Sequence, residues 1–369
     1  MATSPQPIQQ EWMIYGANGY SGRLIVREAV RRGHKPVLAG RNAAALEDLA
    51  VELGLSWRVF GLEQADSVAH ALADMALVVN CAGPFSATAE TMMDACLHSQ
   101  THYLDITGEI QVFEAAKGRD SQARKAGVVL LPGTGFDVIP TDCLARLLAD
   151  KMPDAQHLSL GFAGGNSLSP GTAKTTVEGM REGVKVRRHG SLETRANGFC
   201  VRHIDFGQGP RQATPIPWGD ISTAFTSTGI PNITVFVPAS KRTLKAMRMG
   251  NWLRPLLRLG LVQNFLKGRI AKKVHGPNAS KREQQRMQVW GEVVDADGNT
   301  LSARVDTPNG YQMTSYGPVF LAEHILSHAD LAGYYTPSMM MGGAWLETLP
   351  GVQAVRWSQG EQSPLDSAA

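Results

Sequence analysis

Apolar positions fall in short bursts over the first 130 residues, and the stretches between them carry a helical period. Residues 12–15 form an apolar run that ends at Gly16. From 20 to 32, apolar Leu24, Ile25, Val26, Ala29 and Val30 interleave with Arg23, Arg27, Glu28, Arg31 and Arg32, and Gly33 stops the pattern. A second run, 36–39, precedes a helical stretch bearing Leu46, Leu49, Ala50 and Leu53 that stops at Gly54. Runs at 57–60, 76–80, 103–105 and 128–131 continue the strands, with helical patterns over 68–73, 88–99 and 109–125 between them. Near-continuous runs such as ALVVN and VVLL suit parallel strands buried on both faces. The alternation predicts an α/β chain whose N-terminal part is a Rossmann doubly wound parallel sheet.

From about residue 156 the pattern changes. Strands are expected at 156–163, 219–228 and 232–238, and a helix at 172–182. A hairpin is expected from 287–294 and 300–306 around Asp295-Ala296-Asp297-Gly298. This is the pattern of a second, mixed α/β domain.

The first strand–helix turn reads Gly16-Ala17-Asn18-Gly19-Tyr20-Ser21-Gly22. Glycines spaced this way, between a strand and a helix, permit a tight turn, backbone approach to a pyrophosphate and close helix–strand packing. The helix start adds N–H donors and partial positive charge. After the second strand an NAD site usually places an acid for the ribose 2′-hydroxyl. This chain has Gly40-Arg41-Asn42. A guanidinium there pairs with a 2′-phosphate, which favours NADP(H); the competing reading is an exposed cation capping the next helix. Asn80, Cys81, Ala82, Gly83 and Pro84 end the fourth strand, where a ligand meets the sheet's carboxyl edge, and small residues there admit the nicotinamide-side ribose. None of the seven tyrosines has Lys four positions on, which argues against the short-chain reductase donor pair.

Residues 102–109, HYLDITGE, bring His102, Tyr103, Asp105 and Glu109 together at a strand. The two acids either hold a nicotinamide amide, orient a donor, or cap the helix beginning near Glu109. Gly135 and Phe136 enter a further helix with Asp137 as its N-cap, and face cofactor or substrate. Lys174 follows the Pro170-Gly171 loop, and either donates a proton, binds an acidic group or is simply solvated. Tyr103, Asp105 and Lys174 are the catalytic candidates, with His102 as a further donor.

Composition narrows the class. The chain has 369 residues, 43% hydrophobic and 19% charged, too apolar and too poor in charge for a disordered protein. The four cysteines, widely spaced, form no C-x-x-C pair and read as reduced thiols of a cytoplasmic protein, against a disulfide scaffold or a zinc site. Residues 1–10 lack the basic and apolar regions of a signal peptide, and no apolar run is long enough to span a membrane. The net charge of +3 hides an asymmetry: residues 241–286 hold thirteen Lys or Arg and one acid, Glu283, so the rest carries −9. Apolar residues at helical spacing interleave these cations, as in a surface amphipathic helix pair. That segment fits a lid, an acyl chain, an acyl carrier protein or a peripheral membrane contact. With Trp252 and Phe265 its only aromatics, it argues against nucleic acid.

Taken together, GANGYSGRL (16–24), LAGRN (38–42), NCAGPF (80–85), HYLDITGE (102–109), GFDVIPTD (135–142), WGDISTAFTSTGIPN (218–232) and TPNGYQMT (307–314) resemble the saccharopine dehydrogenase-like oxidoreductases. The branch they resemble includes trans-acting enoyl reductases. The resemblance implies an NADP-binding domain over 1–150 and a substrate or dimerisation domain over 151–310 with its basic insertion at 240–286. It also implies C-terminal helices, 311–369, returning to the first domain. One departure is Ser169-Pro170-Gly171-Thr172 where the family has a Ser-Gly-Gly-Thr-like run; the Pro removes an amide donor. The expected activity is NADPH-dependent reduction of a C=C or C=N bond. A saccharopine-type substrate would need arginines such as Arg181, Arg187, Arg188, Arg202 and Arg211, whereas the apolar, basic 241–286 segment suits a lipid- or polyketide-like acyl substrate better. The alternative is a non-catalytic dinucleotide-binding scaffold or a membrane-surface protein.

Overall fold

The computed structural model describes residues 10–164, 183–252 and 285–360. The chain groups into two units, one formed by 1–139 with 311–340, the other by 140–310 with 341–369.

The first unit alternates as its apolar bursts dictate. Its strands are β1 (Trp12–Tyr15), β2 (Val37–Gly40), β3 (Trp57–Val59), β4 (Leu77–Asn80), β5 (His102–Asp105) and β6 (Val129–Leu131). Its helices are α1 (Tyr20–Arg31), α2 (Ala43–Leu53), α3 (Ala65–Leu72), α4 (Ala89–Ser99), α5 (Ile110–Gly118) and α6 (Asp120–Ala126). A short strand, Gly333–Tyr334, completes a parallel sheet ordered Gly333–Tyr334, β6, β5, β4, β1, β2, β3. This is the doubly wound order, with its switch point between β1 and β4. On one face Met13, Tyr15, Val37, Ala39 and Val78 pack with Val68, Met92, Met93 and Val112 of the covering helices. Ile14, Leu38 and Val79 point the other way and are equally buried. Two covered faces are why these strands show no polar alternation; each fully buried Ile or Leu contributes roughly 1.5–3 kcal/mol.

The helical pattern of 109–125 is two helices. The chain breaks at Gly118–Arg119, where Gly is a poor helix former. Arg119 instead donates to Asp94 at 2.8 Å and to the Ala115 carbonyl at 3.1 Å. The returning helix, Gly310–Leu326, is clamped to the end of α1. The Glu323 carboxylate accepts two bonds from Arg32, at 2.7 and 2.6 Å, and lies 2.6 Å from His34 Nε2.

The second unit is built on β7 (His157–Gly164), β8 (Val184–Arg188), β9 (Ser191–Arg195), β10 (Arg202–Asp205), β11 (Pro210–Ile216), β12 (Asn232–Pro238), β13 (Arg286–Val294) and β14 (Thr300–Pro308). The sheet runs β10, β11, β12, β7, β13, β14, then Arg356–Gly360, with β8 beside β12 and β9 beside β8. β7 and β12 are parallel and the other pairs antiparallel, so the sheet is mixed. The hairpin at 295–298 forms, with the Asp295 carboxylate accepting from Asp297 N and Asn299 N, both at 2.9 Å.

Two differences from the sequence reading are instructive. Residues 219–228 are not a strand but a helix, Asp220–Thr228, closed by left-handed Gly229 at φ +76°. Ile221, Thr223, Phe225 and Thr226 favour strands, but burial of most of this segment as a helix (Asp220 to Ala224 and Ser227) overrides that weak preference. At the C-terminus only 311–340 group with the first unit; 341–369 group with the second, where Arg356–Gly360 pairs with β14. The 172–182 helix lies outside the described residues. Among the described residues no helix is long and apolar enough to cross a membrane.

Candidate dinucleotide and active site

The turn after β1 is shaped by contacts that only glycine allows. Gly16 has φ +76°, and a Cβ on it would lie 3.0 Å from both Ala82 N and the Cys81 carbonyl carbon. On Gly22 a Cβ would lie 2.3 Å from the Gly16 carbonyl oxygen. Gly16 N and Ala17 N both donate to the Ala39 carbonyl, at 2.7 and 3.2 Å, which ties the turn to β2. Gly19 begins α1 with extended backbone; no side chain caps the helix and its first turn holds no acid. An anion at this helix start meets N–H donors and the positive end of the dipole without displacing a protein carboxylate. Gly16, Asn18, Gly19, Tyr20 and Ser21 are open to solvent in part, while Ala17 and Gly22 are buried beneath them. These residues fit a dinucleotide pyrophosphate at the switch point.

Arg41 follows β2, is exposed, and makes no hydrogen bond or ion pair among the described residues. It is not the cap of α2, because Asn42 Oδ1 accepts from Ala45 N at 3.2 Å. The guanidinium lies close enough to Tyr15 to oppose the rise that burial imposes on that phenol.

The loop after β4 is tied from several sides. Cys81 N donates to the Tyr15 carbonyl at 2.8 Å, and burial raises the Cys81 thiol, keeping it protonated. Asn80 is fully buried; its Oδ1 accepts from Ala82 N at 3.0 Å and its Nδ2 reaches Thr88 Oγ1 at 3.4 Å. Gly83 remains exposed, with Ala82 and Pro84 partly so. The far end of the loop is held by Glu109, whose two carboxylate oxygens accept from Phe85 N at 2.9 Å and Ser86 N at 2.8 Å. Glu109 thus begins α5 without capping it, and caps the turn 24 residues upstream.

Tyr103 and Asp105, both expected to be catalytic, are fully buried and bonded to each other, Tyr103 Oη donating to Asp105 Oδ2 at 2.6 Å. Asp105 Oδ1 accepts from Thr107 N at 2.9 Å and Gly133 N at 2.8 Å. Burial lifts this carboxyl to about 6 against those three bonds, and raises the Tyr103 phenol well above its usual value. Together they join β5 to the loop after β6. His102 lies apart from this pair. It sits at the amino end of β5, roughly 10 Å of strand from the carboxyl edge, and its Nδ1 accepts from Val129 N at 3.0 Å.

The group that sequence reasoning missed is Asp137, read only as an N-cap. It follows β6 at the carboxyl edge, half-buried. Gly108, from the loop after β5, comes so near that a Cβ there would lie 3.1 Å from Asp137 Oδ2. Its carboxylate has no hydrogen-bond partner among the described residues, and burial lifts it to about 7. Gly135 and Phe136, expected to face the cofactor, are buried and turn to the returning helix: Phe136 N donates to Thr314 Oγ1 at 3.1 Å. A Cβ on Gly317 would lie 2.1 Å from the Thr134 carbonyl oxygen, so that helix supports the Asp137 loop at close range. The signals were present in GFDVIPTD and in TPNGYQMT, but neither string says which way its side chains point.

Lys174, Arg181 and the 169–172 loop lie outside the described residues. Arg187 is spent on the Ile221 and Gly190 carbonyls, each at 2.7 Å, and stacks over Phe225. Arg211 is exposed. Arg188 and Arg202 line one cavity of the second unit.

This geometry defines a dinucleotide-binding α/β protein, and comparison with known proteins agrees. A family model described as NAD(P)H-binding matches residues 16–125. The saccharopine dehydrogenase-like oxidoreductase of Rattus norvegicus is 33% identical over 215 residues, 51% of this chain and 49% of that protein. An Arabidopsis thaliana relative, provisionally named a mitochondrial saccharopine dehydrogenase-like oxidoreductase, is 30% identical over 160 residues, 37% of this chain and 34% of that one. The match thus spans between a third and a half of these relatives' length. A Mycobacterium tuberculosis protein, provisionally named a trans-acting enoyl reductase, is 25% identical over 408 aligned positions, 93% of this chain and 96% of that protein. Among solved structures, apo saccharopine dehydrogenase (L-Glu forming) from Saccharomyces cerevisiae aligns with a TM-score of 0.62 at 12% identity, over 95% of this chain and 100% of that one; this likeness shows the fold. The chain is thus similar to the saccharopine dehydrogenase-like oxidoreductases over part of their length, and carries an NAD(P)H-binding domain over 16–125.

Proposed function

We propose that the protein is an NADP(H)-dependent reductase of a C=C or C=N bond, acting in the cytoplasm on an acyl substrate of lipid or polyketide type. The observation that carries this reading is the Gly16–Gly22 turn opening onto an uncapped helix, with Arg41 unpaired at the end of β2. Gly16, Asn18, Gly19, Tyr20, Ser21 and the first turn of α1 hold the pyrophosphate; Arg41 holds the 2′-phosphate; Ala82, Gly83 and Pro84 pass the nicotinamide-side ribose. When bound, the reduced nicotinamide supplies a hydride. The adjoining atom of the double bond then needs a proton, and Asp137, near 7, is partly protonated at neutral pH and gives it up readily. The acyl preference rests on the 241–286 segment. Its first helix, Lys241–Gly250, buries Leu244 while Met249 and Trp252 stay 61% and 89% exposed, a surface suited to an acyl chain, an acyl carrier or a membrane face. We also propose that the chain works as a homodimer.

The test is NADPH oxidation, followed spectroscopically, with enoyl thioester and imine panels. Turnover is expected with one panel, and Asp137→Asn lowers it by roughly 10²–10⁴-fold while leaving NADPH affinity unchanged. Tight NADPH binding without turnover of any panel member would favour the non-catalytic scaffold, the second reading, since Tyr103 and Asp105 are bonded inward.

A further inference from the structure

The arginines of the second unit sort into those already engaged and those that are not. Arg187 makes its bonds to backbone carbonyls. Arg188, next along β8, makes no hydrogen bond or ion pair among the described residues. Arg202 has five N–H donors and uses two of them, one on Ser159 Oγ at 3.0 Å and one on Glu292 at 2.8 Å. Its guanidinium carbon lies over the rings of Phe236 and Trp290, 5.7 and 5.5 Å from their centres, which adds cation–π contacts to the two bonds that hold it.

Both arginines line a cavity of about 70 Å³. Its polar wall is set by strand register. Asn232 pairs with His157 and Thr234 with Ser159 across the parallel β12–β7 ladder, so all four present to one face of the sheet. The cavity therefore gathers two guanidinium groups, an imidazole, two hydroxyls and an amide. Glu292 neutralises Arg202, and the charge of Arg188 has no counter-ion among the described residues. The His157 imidazole is held below its usual value by burial, by Arg188 and by His189, so it is neutral at pH 7 and adds a donor or acceptor without charge.

We propose that this cavity is a binding site for a small oxyanion, with Arg188 and Arg202 as its charged donors and Ser159, Thr234 and His157 completing the shell. At about 70 Å³ the cavity exceeds the roughly 10–15 Å³ needed to hold one water, so it admits a small ligand of a few heavy atoms. One cation with no counter-ion among the described residues matches one negative charge, and a guanidinium fork suits the paired oxygens of phosphate or carboxylate. The site belongs wholly to the second unit and stands or falls independently of the reductase reading.

The experiment uses the full chain without cofactor. Histidine-labelled protein is titrated with sodium phosphate, and in a second arm with sodium acetate, against sodium chloride at matched ionic strength. The readout is the ring resonance of His157, assigned with His157→Gln. Expected is a saturable shift with one of the two anions and a rise in the His157 midpoint, because an anion offsets Arg188. In Arg188→Gln the apparent dissociation constant weakens at least tenfold. The Arg188 side chain makes no hydrogen bond or ion pair among the described residues, so that variant is expected to keep its fold, checked by its thermal midpoint in chloride. Saturation by phosphate identifies a phosphate-type ligand, and saturation by acetate alone a carboxylate. A response no larger than that to chloride, or one unchanged in Arg188→Gln, overturns the proposal.

Discussion

The Gly16–Gly22 turn and the end of β5 sit at the same carboxyl edge of one sheet and treat their polar groups in opposite ways. The turn carries almost no side-chain chemistry, yet its backbone and helix start face outward, uncapped and in part open to solvent. The β5 end is rich in side-chain chemistry, and it turns inward: Tyr103 onto Asp105, Asp105 onto Thr107 and Gly133, Glu109 onto Phe85 and Ser86. A cluster of acids and a phenol in sequence is therefore no guide to reactivity here. Arg41 and Asp137, by contrast, have no hydrogen-bond partner among the described residues, and the proposed function rests on them.

The comparison can be broken most sharply at Asp105. Asp105→Ala strands a phenol and two backbone N–H groups in a buried site, each costing about 1–3 kcal/mol. A loss of roughly 3–9 kcal/mol is expected in the first unit's unfolding transition, measured by denaturant titration. A loss below about 1 kcal/mol would show that the network is not structural. Gly22→Ala comes next and sets two principles against each other. Helix propensity alone predicts a gain of about 1 kcal/mol. The 2.3 Å approach to the Gly16 carbonyl predicts overpacking, a cost of about 1–3 kcal/mol, with NADPH affinity falling as the turn shifts.

A smaller effect concerns pH. Burial raises Asp137 to about 7 and Asp105 to about 6, both above their unfolded values near 4. The folded chain therefore holds protons that the unfolded chain has released, and their contribution to stability declines as pH rises from about 4 to about 7. Asp137→Asn should flatten the upper part of that decline and leave the part due to Asp105. The variant's thermal midpoint, compared with wild type at pH 5 and pH 8, checks this: the gap should favour the variant at pH 8. Smallest in stability is Arg41→Ala, within about 0.5 kcal/mol of wild type, because the Arg41 side chain is exposed and makes no hydrogen bond or ion pair among the described residues.

Much of this was legible in the sequence, and for a physical reason. A strand covered on both faces must be apolar throughout, so Leu77–Asn80 could be read directly. A position where a Cβ would lie 2.3 Å from another residue's carbonyl oxygen must be glycine, so the turn could be read too. What was not legible is direction. Glu109 stands where a helix cap belongs, yet its carboxylate reaches back to Phe85, a contact created only when β4 and β5 pair. Asp137 looked like another cap because its neighbours, Gly108 from the β5 loop and the returning helix around Thr314, are remote in sequence. The helix Asp220–Thr228 was misread because its Ile, Thr and Phe content mimics a strand.

The central claim is that exposed, unpartnered groups around the glycine turn hold a phosphorylated dinucleotide. Its most direct measurement is the dissociation constant of NADPH and of NADH for wild type and Arg41→Ala, from nicotinamide fluorescence. The account predicts at least tenfold tighter NADPH than NADH in wild type, near-equal binding in the variant, and an unchanged thermal midpoint without cofactor. Wild type that binds neither nucleotide, or an NADPH preference that survives loss of Arg41, would contradict it.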